Sequence, residues 1–453
     1  MATHSEVSAA PTGIDEALLA DLSAEVRTAL GAEAAEVFTA AMRRTLTDAV
    51  SWEADGTAFV LTGDIPAMWL RDSAAQLRPY LALADADPAL ADVISAVVRR
   101  QSRQILRDPY ANAFNRGADG AGHQDDDTDM NPWIWERKYE VDSLAFPLQL
   151  AHQLWAGTGR TDHLDDAFRA SADLIIETLR AEQDHENRSP YRFARTDCPP
   201  SDTLVRGGHG SPVGVTGMTW SAFRPSDDAC RYHYNVPGNL FAVASLRDLA
   251  ELADGPVEDG GLARRAEALA DELEAATLEH GVVEHPDHGR ILAYEVDGLG
   301  HHLLMDDANM PSLLSLPLTG AVPGDDPLYA ATRRFVLSDA NPTFARGATG
   351  DGVGSPHTPP RHVWPIAAAV RGLTATDEAD KHAVVEQMLA ANRSRGRMCE
   401  SYHVDDPQRF TREWFSWADS MFCELVLDIL GRPVPGTTDS RQGRSAPRPG
   451  GTA

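Results

Sequence analysis

Residues 62–80 read TGDIPAMWLRDSAAQLRPY and pass from a polar loop into a helical pattern. Within nine residues of this stretch stand Asp64, Trp69, Arg71 and Asp72. A Trp ring stacks on the C–H face of a pyranose, while Arg and Asp bind its hydroxyls in bidentate fashion. The stretch therefore suits a sugar ligand, although a buried Trp beside a structural Arg–Asp pair fits the same residues.

Helical periodicity dominates the chain on both sides of this stretch. The helix after Trp69 is expected to be capped by Asp72 or Ser73, because either side chain accepts from the free N–H groups of a first turn. Strand-like runs are few and lie at 58–61 and 290–295. About a dozen helices separated by short and long loops suit helices paired in concentric rings, with the functional loops at one end. The predicted helical windows are 15–49, 70–83, 88–107, 140–157, 162–182, 233–253, 261–278, 303–316, 326–336, 362–373, 378–393 and 415–431.

The composition excludes several kinds of partner. The formal net charge is −28, and 43% of the residues are hydrophobic, close to the globular norm. A surface this acidic repels phosphate backbones and anionic lipids, so neither a nucleic acid nor a membrane is an expected partner. The first residues, MATHSEVSAAPTG, hold no basic or apolar leader region, and no apolar run approaches the roughly 18 residues of a membrane span. We therefore expect a cytoplasmic protein.

Pro, Gly and Ser mark the two ends of the chain as disordered tails at 1–13 and 433–453, around one domain at 14–432. The four cysteines are scattered and form no CxxC pair, so we expect no zinc site and free thiols, with one disulfide bridge as the alternative. The acidic run at 125–129 lacks EF-hand spacing, which favours a solvated loop over a calcium site. No metal ion or cofactor is therefore expected.

A second cluster, TWSAFRPSDDACRYHYN, begins at Thr219 and places Arg224 beside Asp227 and Asp228. Two adjacent carboxylates repel each other, and burial disfavours their charged forms. Both effects raise the pKa of a carboxyl group, as a general acid at neutral pH requires. Alternatively, one of the two aspartates caps the helix expected near Tyr232.

A third cluster, MCESYH and the FTREWFSWADS that follows it, contains Glu400 beside aromatic residues. Glu400 is a candidate catalytic base, and the alternative is an ion pair with Arg395 or Arg397. Trp414 and Trp417 are three residues apart and would share a helix face. That face is either core packing or a platform for a sugar ring.

Three further segments carry polar side chains that suit sugar hydroxyls. GVGSPHT ends in His357 and Thr358, after glycines that allow close approach of the backbone. DDANMPS contains Asp307 and Asn309, and WIWERKYEVDS contains Asp142. A structural loop histidine and a helix cap are the alternatives for the first two segments. Six of the nine tryptophans lie in these clusters of acids, which is unexpected for core tryptophans alone.

Taken together, these segments resemble glycoside hydrolase family 125, the exo-acting α-1,6-mannosidases, from about residue 30 to residue 431. No one motif carries the resemblance; their order and co-occurrence do. The matching motifs are the run 63–80, FRPSDD at 223–228, GSPHT at 354–358, and M-x-E-S at 398–401 followed by FTR-x-WF at 410–415.

The resemblance implies an all-α fold, an (α/α)6 barrel of six helical hairpins, as a single catalytic domain at 14–432. It implies inverting, metal-independent hydrolysis of a terminal non-reducing α-1,6-linked mannose, with no cofactor. It places the general base at Glu400. It places the general acid at Asp227 or Asp228, and the residues alone give only a slight preference for Asp227.

The expected partner is an oligosaccharide that ends in α-mannose, and the oligomeric state is not predicted. Two other functions stay open: the same barrel as an α-glucosidase or a phosphorolytic enzyme, and a non-catalytic mannoside-binding protein. This chain has Cys399 and Tyr402 where the family pattern has His and Phe, a departure expected to alter the aglycone side. The expected substrate-binding residues are Asp64, Trp69, Arg71, Asp72, Asp142, Arg224, Asp307, Asn309, His357, Thr358 and Trp414.

Overall fold

The computed structural model describes residues 13–436, so the tails predicted at 1–13 and 433–453 lie almost wholly outside the described residues. Helices make up most of the regular structure. None of the helices in this part of the chain combines the length and the apolar composition needed to cross a bilayer. The helices are α1 Glu16–Leu30, α2 Ala32–Arg44, α3 Leu70–Ala75, α4 Arg78–Leu81, α5 Pro88–Arg107, α6 Val141–Thr158, α7 Asp166–Glu182, α8 His185–Arg188, α9 Val205–Gly208, α10 Val236–Asp254, α11 Gly260–Gly281, α12 Pro327–Val336, α13 Pro365–Leu373, α14 Glu378–Asn392 and α15 Ser416–Ile429.

Short antiparallel strands occupy the connections between the helices. They pair as β1–β2, β3–β4–β5, β6–β9–β10, β7–β8, β11–β12 and β13–β14–β15. The strands are β1 Val50–Trp52, β2 Ala58–Val60, β3 Met68–Trp69, β4 Ala113–Phe114, β5 Ile134–Glu136, β6 Tyr234–Asn235, β7 Val282–His285, β8 Gly289–Leu292, β9 Glu295–Val296, β10 His302–Leu303, β11 Phe344–Gly347, β12 Gly350–Val353, β13 His362–Val363, β14 Ser401–His403 and β15 Asp406–Thr411.

The strand-like runs at 58–61 and 290–295 are indeed strands, but the expectation of an all-α fold was too simple. Most of the other strands have two to four residues. Such short segments show no measurable alternation of polar and apolar residues, so the sequence pattern could not predict them. Helices build the core, and the small sheets shape the loops around the site.

Acidic and amide side chains start many of the long helices. Each carboxyl or amide oxygen accepts a backbone N–H of the first turn, a contact that typically contributes about 1 kcal/mol. These caps are Asp15 for α1, Asp87 for α5, Asp165 for α7, Asn235 for α10, Asp259 for α11, Asp326 for α12 and Asp377 for α14.

The predicted cap of the helix after Trp69 is wrong. Helix α3 already begins at Leu70 and has no side-chain cap. Ser73 lies inside the helix and donates its hydroxyl to the carbonyl of Leu70, while Asp72 faces Arg71. Asp72 therefore does not cap α3, and its carboxyl group can take part in the functional site.

Apolar side chains from most helices join in one connected core cluster between Ile14 and Val434. Helices α10 and α11 pack as a pair, as do α1 and α2, and α13 and α14. Helix α6 packs against both α3 and α10, and α15 packs against both α13 and α4. Phe146 of α6 meets Phe241 of α10 at a ring-centroid distance of 4.7 Å and Trp417 of α15 at 6.4 Å. The core therefore lies between these helices.

The helix predicted at 303–316 is absent from the structure, which has turns there after β10. Pro311 has no N–H to donate within a helix. In addition, the carboxylate of Asp306 accepts the N–H groups of Leu313 and Leu314 at 2.8 and 3.0 Å. Such bonds from a side chain give the backbone an alternative to helix formation. The irregular segment carries Asp307 and Asn309 to the site.

Asp306 should make the stability of this segment depend on pH. Burial raises its pKa from 3.8 to about 8, although the N–H groups of Leu313 and Leu314 oppose the shift. The folded protein therefore holds a proton that the unfolded chain releases, so the free energy of unfolding falls as pH rises from about 4 to about 8. Asp306→Asn should remove up to about 1.4 kcal/mol per pH unit of this slope.

Urea denaturation at several pH values between about 6 and 8 measures this slope. Asp326→Asn is the matched control, because Asp326 caps α12 with a single N–H bond from Tyr329 and asparagine can keep that bond. Parallel pH profiles for the wild type and Asp306→Asn would contradict the account.

Candidate active site

A narrow cavity of about 40 Å³, open to solvent, lies where the loops from five parts of the chain meet. Its wall combines acidic, basic and aromatic side chains from both halves of the sequence. The lining residues are Thr62, Ile65, Trp69, Arg71, Asp72, Ser226, Asp227, Asn309, His357, Trp364, Glu400, Arg412 and Phe415.

A larger depression of about 320 Å³ lies elsewhere, between the turns at 317–324 and the chain at 424–434. None of its lining residues is aromatic. Its acids are paired, Glu424 with Arg78 and Asp428 with Lys381. This depression therefore offers little chemistry, and the smaller cavity is the candidate site.

The cavity brings together half of the residues that the sequence predicted for the site. Seven of them line its wall: Trp69, Arg71, Asp72, Asp227, Asn309, His357 and Glu400. The other seven are Asp64, Asp142, Arg224, Asp228, Asp307, Thr358 and Trp414, which lie behind the wall or at its edge.

Aromatic rings form one side of the cavity. Trp69 ends β3 and is held in the sheet β3–β4–β5, opposite Ala113. Only 6% of its surface is exposed, and its indole N–H has no hydrogen-bond partner within the described residues. Trp364 donates its indole N–H to the hydroxyl of Thr358 at 3.0 Å. Thr358 thus orients a lining ring and does not itself face the cavity.

Arg71 lies at the base of the cavity and contacts four carboxyl groups. Its Nη1 lies 2.5 Å from Glu140 Oε2 and 3.2 Å from Asp142 Oδ2. Its Nη2 lies 3.1 Å from Asp227 Oδ1, and its Nε lies 3.3 Å from Asp72 Oδ1. The guanidinium is buried, so these contacts are shielded from water. Arg71 therefore connects α3, the start of α6 and the loop before β6.

The same carboxyl groups compete for one positive charge, and their pKa values separate. Burial raises the pKa of Asp72 and of Asp142 to about 6, even though Arg71 opposes the shift. Burial raises the pKa of Glu140 well above its usual value. Burial alone would raise the pKa of Asp227 as well, but Arg71 and a hydrogen bond with Glu140 bring it below its usual range.

Asp227 and Asp228 occupy different environments despite being neighbours. Asp227 has a positive φ of 65° in a turn closed by the bond from the Arg224 N–H to the Asp228 carbonyl at 2.8 Å. This strained conformation turns its carboxyl group toward the cavity. Lys138 holds the turn by donating to the carbonyl oxygen of Asp227 at 2.8 Å.

Asp228 is buried and contacts the ring of His357, with 3.1 Å between Oδ1 and Nδ1. Burial disfavours the charged imidazole, but this hydrogen bond and the charges of Asp228 and Asp227 prevail and raise the pKa of His357 to about 9. His357 is therefore protonated at neutral pH. The capping role considered for the two aspartates is wrong, since α10 begins at Val236 and is capped by Asn235.

Glu400 lines the cavity and comes directly before β14. Its ion-pair partner is Arg412, at 3.4 Å, and neither Arg395 nor Arg397 takes that role. The N–H of Glu400 donates to the carbonyl of Arg412 at 3.1 Å, so the two residues are held side by side. Asp64, which lies at the edge of the cavity, pairs with the same guanidinium at a distance of 2.5 Å between its Oδ1 and Arg412 Nη2. Arg412 thus joins the loop of the opening motif to the segment that carries Glu400.

Other predicted residues have structural partners away from the cavity. Arg224 donates to Glu295 at 2.6 Å, and Asp142 binds Arg71 from behind the wall. Asp307 accepts the hydroxyl of Ser226 at 2.8 Å, which fixes the residue next to Asp227. Asn309 donates to the carbonyl of Pro225, and its Oδ1 has no partner within residues 13–436. Asn309 itself lines the cavity, and the other three residues position lining side chains.

The shared helix face of Trp414 and Trp417 is a wrong prediction. Helix α15 begins at Ser416, so Trp414 precedes it. Trp417 is fully buried in the core and packs against Phe415. Phe415, which the sequence motif contains but the prediction did not select, lines the cavity instead.

Three important residues were missed by reasoning from sequence: Glu140, Trp364 and Arg412. Arg412 stands in the motif with Trp414, so its position in the FTR-x-WF run was the available signal. Glu140 stands two residues before Asp142 but looks like an ordinary helix-start acid. Trp364 lies in a stretch without nearby acids, and no signal in the sequence indicates its role.

Cys399 and Tyr402, the departures from the family pattern, are both buried in a small apolar cluster with Val404. Neither lines the cavity. The hydroxyl of Tyr402 accepts from Gln387 at 3.1 Å. These two side chains therefore contribute to the packing around β14. The change expected on the aglycone side is not supported, because neither side chain contacts the cavity.

An acidic cavity with aromatic walls on a mainly helical frame suits a sugar ligand, and comparison with known proteins gives the family. The family model of metal-independent alpha-mannosidases (GH125) matches residues 31–427, and the chain belongs to this family. The resemblance inferred from the sequence motifs is thereby confirmed. The protein is a glycoside hydrolase of the α-mannosidase type.

Three relatives support this assignment to different degrees. A Streptococcus pneumoniae metal-independent alpha mannosidase, solved in a non-productive complex with alpha-1,6-mannobiose, is 47% identical with a TM-score of 0.89, covering 92% of this chain and 99% of that one. The Meiotically up-regulated gene 157 protein of Schizosaccharomyces pombe is 38% identical, over 88% of this chain and 82% of its own length. A bacterial glucoamylase complexed with acarbose is 14% identical with a TM-score of 0.57, over 93% of this chain and 58% of that one, and shows the fold alone.

Replacing Arg71 should destabilise the protein more than replacing a surface arginine. Arg71→Met keeps most of the volume but leaves four carboxyl groups without their cation, and breaking a buried ion pair typically costs about 3–5 kcal/mol. The loss should shrink at low pH, where those carboxyl groups are protonated. Chemical denaturation at pH 5 and pH 8 measures both effects.

Arg43→Met is the control, because Arg43 pairs with Glu16 on the surface and its removal should hardly change stability. Equal losses for the two variants, or a loss at Arg71 that does not depend on pH, would show that the four carboxyl groups do not depend on its charge.

Proposed function

We propose that the protein is an exo-acting, inverting α-mannosidase that releases terminal non-reducing α-1,6-linked mannose. One observation carries the proposal: Asp227 and Glu400 line the same small cavity, from separate segments of the chain. The relative solved with alpha-1,6-mannobiose supports the choice of sugar and linkage. The substrate is then an oligosaccharide ending in α-mannose, and the family description requires no metal ion in the reaction.

Asp227 is the proposed general acid, and Asp228 supports it. The side chain of Asp227 is 26% exposed and lines the cavity, whereas that of Asp228 is 5% exposed and bound to His357. A general acid must reach the glycosidic oxygen within hydrogen-bonding distance, so the exposed carboxyl is the better candidate. Asp228 instead keeps the imidazolium of His357 at the wall, where it can donate to a sugar hydroxyl.

Glu400 is the proposed general base. It must take a proton from water, and the Arg412 guanidinium contacts its carboxyl group at 3.4 Å. Met398, two residues earlier, donates its N–H to Asp419 of α15 at 2.8 Å. This bond anchors the segment to the core, so Glu400 is held on a rigid support.

In the proposed reaction, the acid protonates the glycosidic oxygen while the bond to the anomeric carbon breaks through an oxocarbenium-like transition state. Glu400 takes a proton from the water that attacks the opposite face of the sugar. The product is mannose of inverted anomeric configuration. Trp69, Asp72, Asn309 and His357 are the lining groups proposed to bind the ring and its hydroxyls.

The frame proposed for this site is a closed (α/α)6 barrel in one domain covering 14–432. The chain of contacts from α3 through α6 to α10, and from α13 through α15 back to α4, supports an inner ring. The paired helices α10–α11 and α13–α14 support an outer ring around it. The irregular segment after β10 replaces one predicted helix. The cytoplasmic location stays a prediction from the sequence.

A phosphorolytic reaction is less well supported by the same cavity. Such an enzyme needs a cationic pocket for phosphate. Here the cations at the wall are already paired: Arg71 with four carboxyl groups, Arg412 with Asp64 and Glu400, and His357 with Asp228. A purely binding function would not require the two carboxyl groups of Asp227 and Glu400 in the cavity wall.

Replacing either proposed catalytic carboxyl should abolish turnover without unfolding the protein. Glu400→Gln and Asp227→Asn should each lower kcat for α-1,6-mannobiose by about 10²–10⁴-fold, the typical contribution of general acid–base catalysis. Glu413→Gln is the control, because Glu413 lies in the same motif but is exposed. Released mannose and the melting temperature are measured for each variant.

Near-wild-type turnover of Glu400→Gln would remove Glu400 from the role of base. A full loss in Asp228→Asn with activity kept in Asp227→Asn would move the acid to Asp228. If the wild type itself releases no mannose from this substrate, linkage isomers and glucosides become the next probes, and the proposed specificity is wrong.

A further inference from the structure

The group of carboxyls around Arg71 cannot be fully ionised without a large excess of charge. Arg71 is in direct contact with Asp72, Glu140, Asp142 and Asp227. Four carboxylates and one guanidinium in a buried site would repel each other strongly, because the low polarity of the surroundings strengthens every charge interaction. At least one of the four therefore keeps a proton.

Glu140 is the most enclosed of the four, and its surroundings favour the protonated form. Its surface is wholly buried, and it precedes α6 without lining the cavity. Its Oε1 accepts from Asn112 at 3.4 Å, and its Oε2 accepts from Ser143 at 3.0 Å and from Arg71 at 2.5 Å. Glu140 and Asp227 bind the two terminal nitrogens of the same guanidinium, at 2.5 and 3.1 Å, so their carboxyl groups are held close together. Two carboxyl groups held close together in a buried site do not both ionise readily, which favours one proton shared by the pair.

The other ionisable groups near this pair do not supply that proton. Arg71 contacts both carboxyls and stays charged. Lys138 binds the backbone carbonyl of Asp227 and the carboxylate of Asp202. The groups that face Glu140 or Asp227 from the surrounding elements are Arg71 and Asp72 of α3, Glu136 of β5, Lys138, Asp142 of α6, Cys230 and His357.

We propose that Glu140 is a positioning residue that shares one proton with Asp227 and supplies it for the catalytic step. This inference rests on the proposed function of Asp227. In the resting protein the proton lies on Glu140. The O–H bond of Glu140 breaks as an O–H bond forms on Asp227, and Asp227 passes this same proton to the glycosidic oxygen, so that both carboxyl groups end ionised. Glu140 ends as a carboxylate paired with Arg71, and the pair regains a proton from solvent while Glu400 releases one to it.

This arrangement explains how an acid in contact with Arg71 can act near neutral pH. Alone, Asp227 beside a guanidinium would lose its proton too readily to protonate a leaving group. The pair with Glu140 keeps a proton within one hydrogen bond of the cavity. The macroscopic titration then belongs to the pair and sets the alkaline limit of activity.

The test compares pH profiles of kcat/KM for Glu140→Gln, Glu136→Gln and the wild type. Glu136 is the matched control, because it is a buried carboxyl bonded to the same Asn112 but touches neither Arg71 nor Asp227. Glutamine at 140 donates an N–H to Asp227 but carries no proton to transfer. We expect the alkaline limb of Glu140→Gln to move to lower pH, with about a 10²-fold loss for α-1,6-mannobiose at pH 8. Glu136→Gln should keep the limb of the wild type.

A substrate whose leaving group needs no proton distinguishes a failure of this proposal from a failure of the proposed function. A dinitrophenyl α-mannoside needs no protonation on departure, so Glu140→Gln and Asp227→Asn should both retain most of their activity on it, whereas Glu400→Gln should not. An unmoved alkaline limb in Glu140→Gln would overturn the role of Glu140 and leave the assignments of Asp227 and Glu400 intact. Absence of mannoside hydrolysis by the wild type would overturn the function itself.

A measurement on the wild type guards against a Glu140→Gln variant that fails to fold. Infrared difference spectra across the alkaline limb, with and without ¹³C-labelled glutamate, identify which residue type loses the proton. We expect a carboxylic acid band that disappears on raising the pH and that shifts with the glutamate label. Bands from protonated aspartic acids do not shift with this label, so the lack of any labelled band would overturn the proposal.

Discussion

The buried guanidinium of Arg71 is the interaction on which the site depends. It binds carboxyl groups from α3, from both sides of the start of α6 and from the loop before β6, and so fixes segments that are more than 150 residues apart. A buried guanidinium without a carboxyl partner would destabilise the fold, because its charge would be unpaired. A guanidinium with several carboxyl partners leaves an excess of negative charge, so one carboxyl group keeps a proton. Arg71 has the second arrangement, so the contacts that stabilise the fold also hold the proton used in the proposed reaction.

A second constraint is the division of labour between helices and loops. The helices bury a continuous apolar core and carry few of the lining side chains, while short strands hold the loops in register. Trp69 is set by the pairing of β3 with β4, and Glu400 by its bonds to Arg412 and by the bond of Met398 to Asp419. The two proposed catalytic carboxyls therefore stand on separate rigid supports.

The long helices and the family could be predicted from sequence, because helical periodicity and the order of four motifs are local features. The helix at 303–316 was predicted wrongly because its pattern is apolar and periodic, while Pro311 and the side chain of Asp306 favour turns. The lining role of Asp227, and the burial of Asp228 beside His357, follow from a turn with positive φ that periodicity does not reveal. Glu140 was missed because its importance comes from contacts across the fold with Arg71 and Asp227.

The configuration of the sugar first released is the most direct test of the central account. NMR of the purified protein with α-1,6-mannobiose, with and without EDTA, records the anomer before mutarotation. Release of β-mannose at the same rate in both samples is the result predicted for one carboxyl that protonates the leaving group and another that activates water, without a metal ion. Release of α-mannose would contradict the inverting mechanism, and loss of activity with EDTA would contradict a reaction carried by the side chains alone.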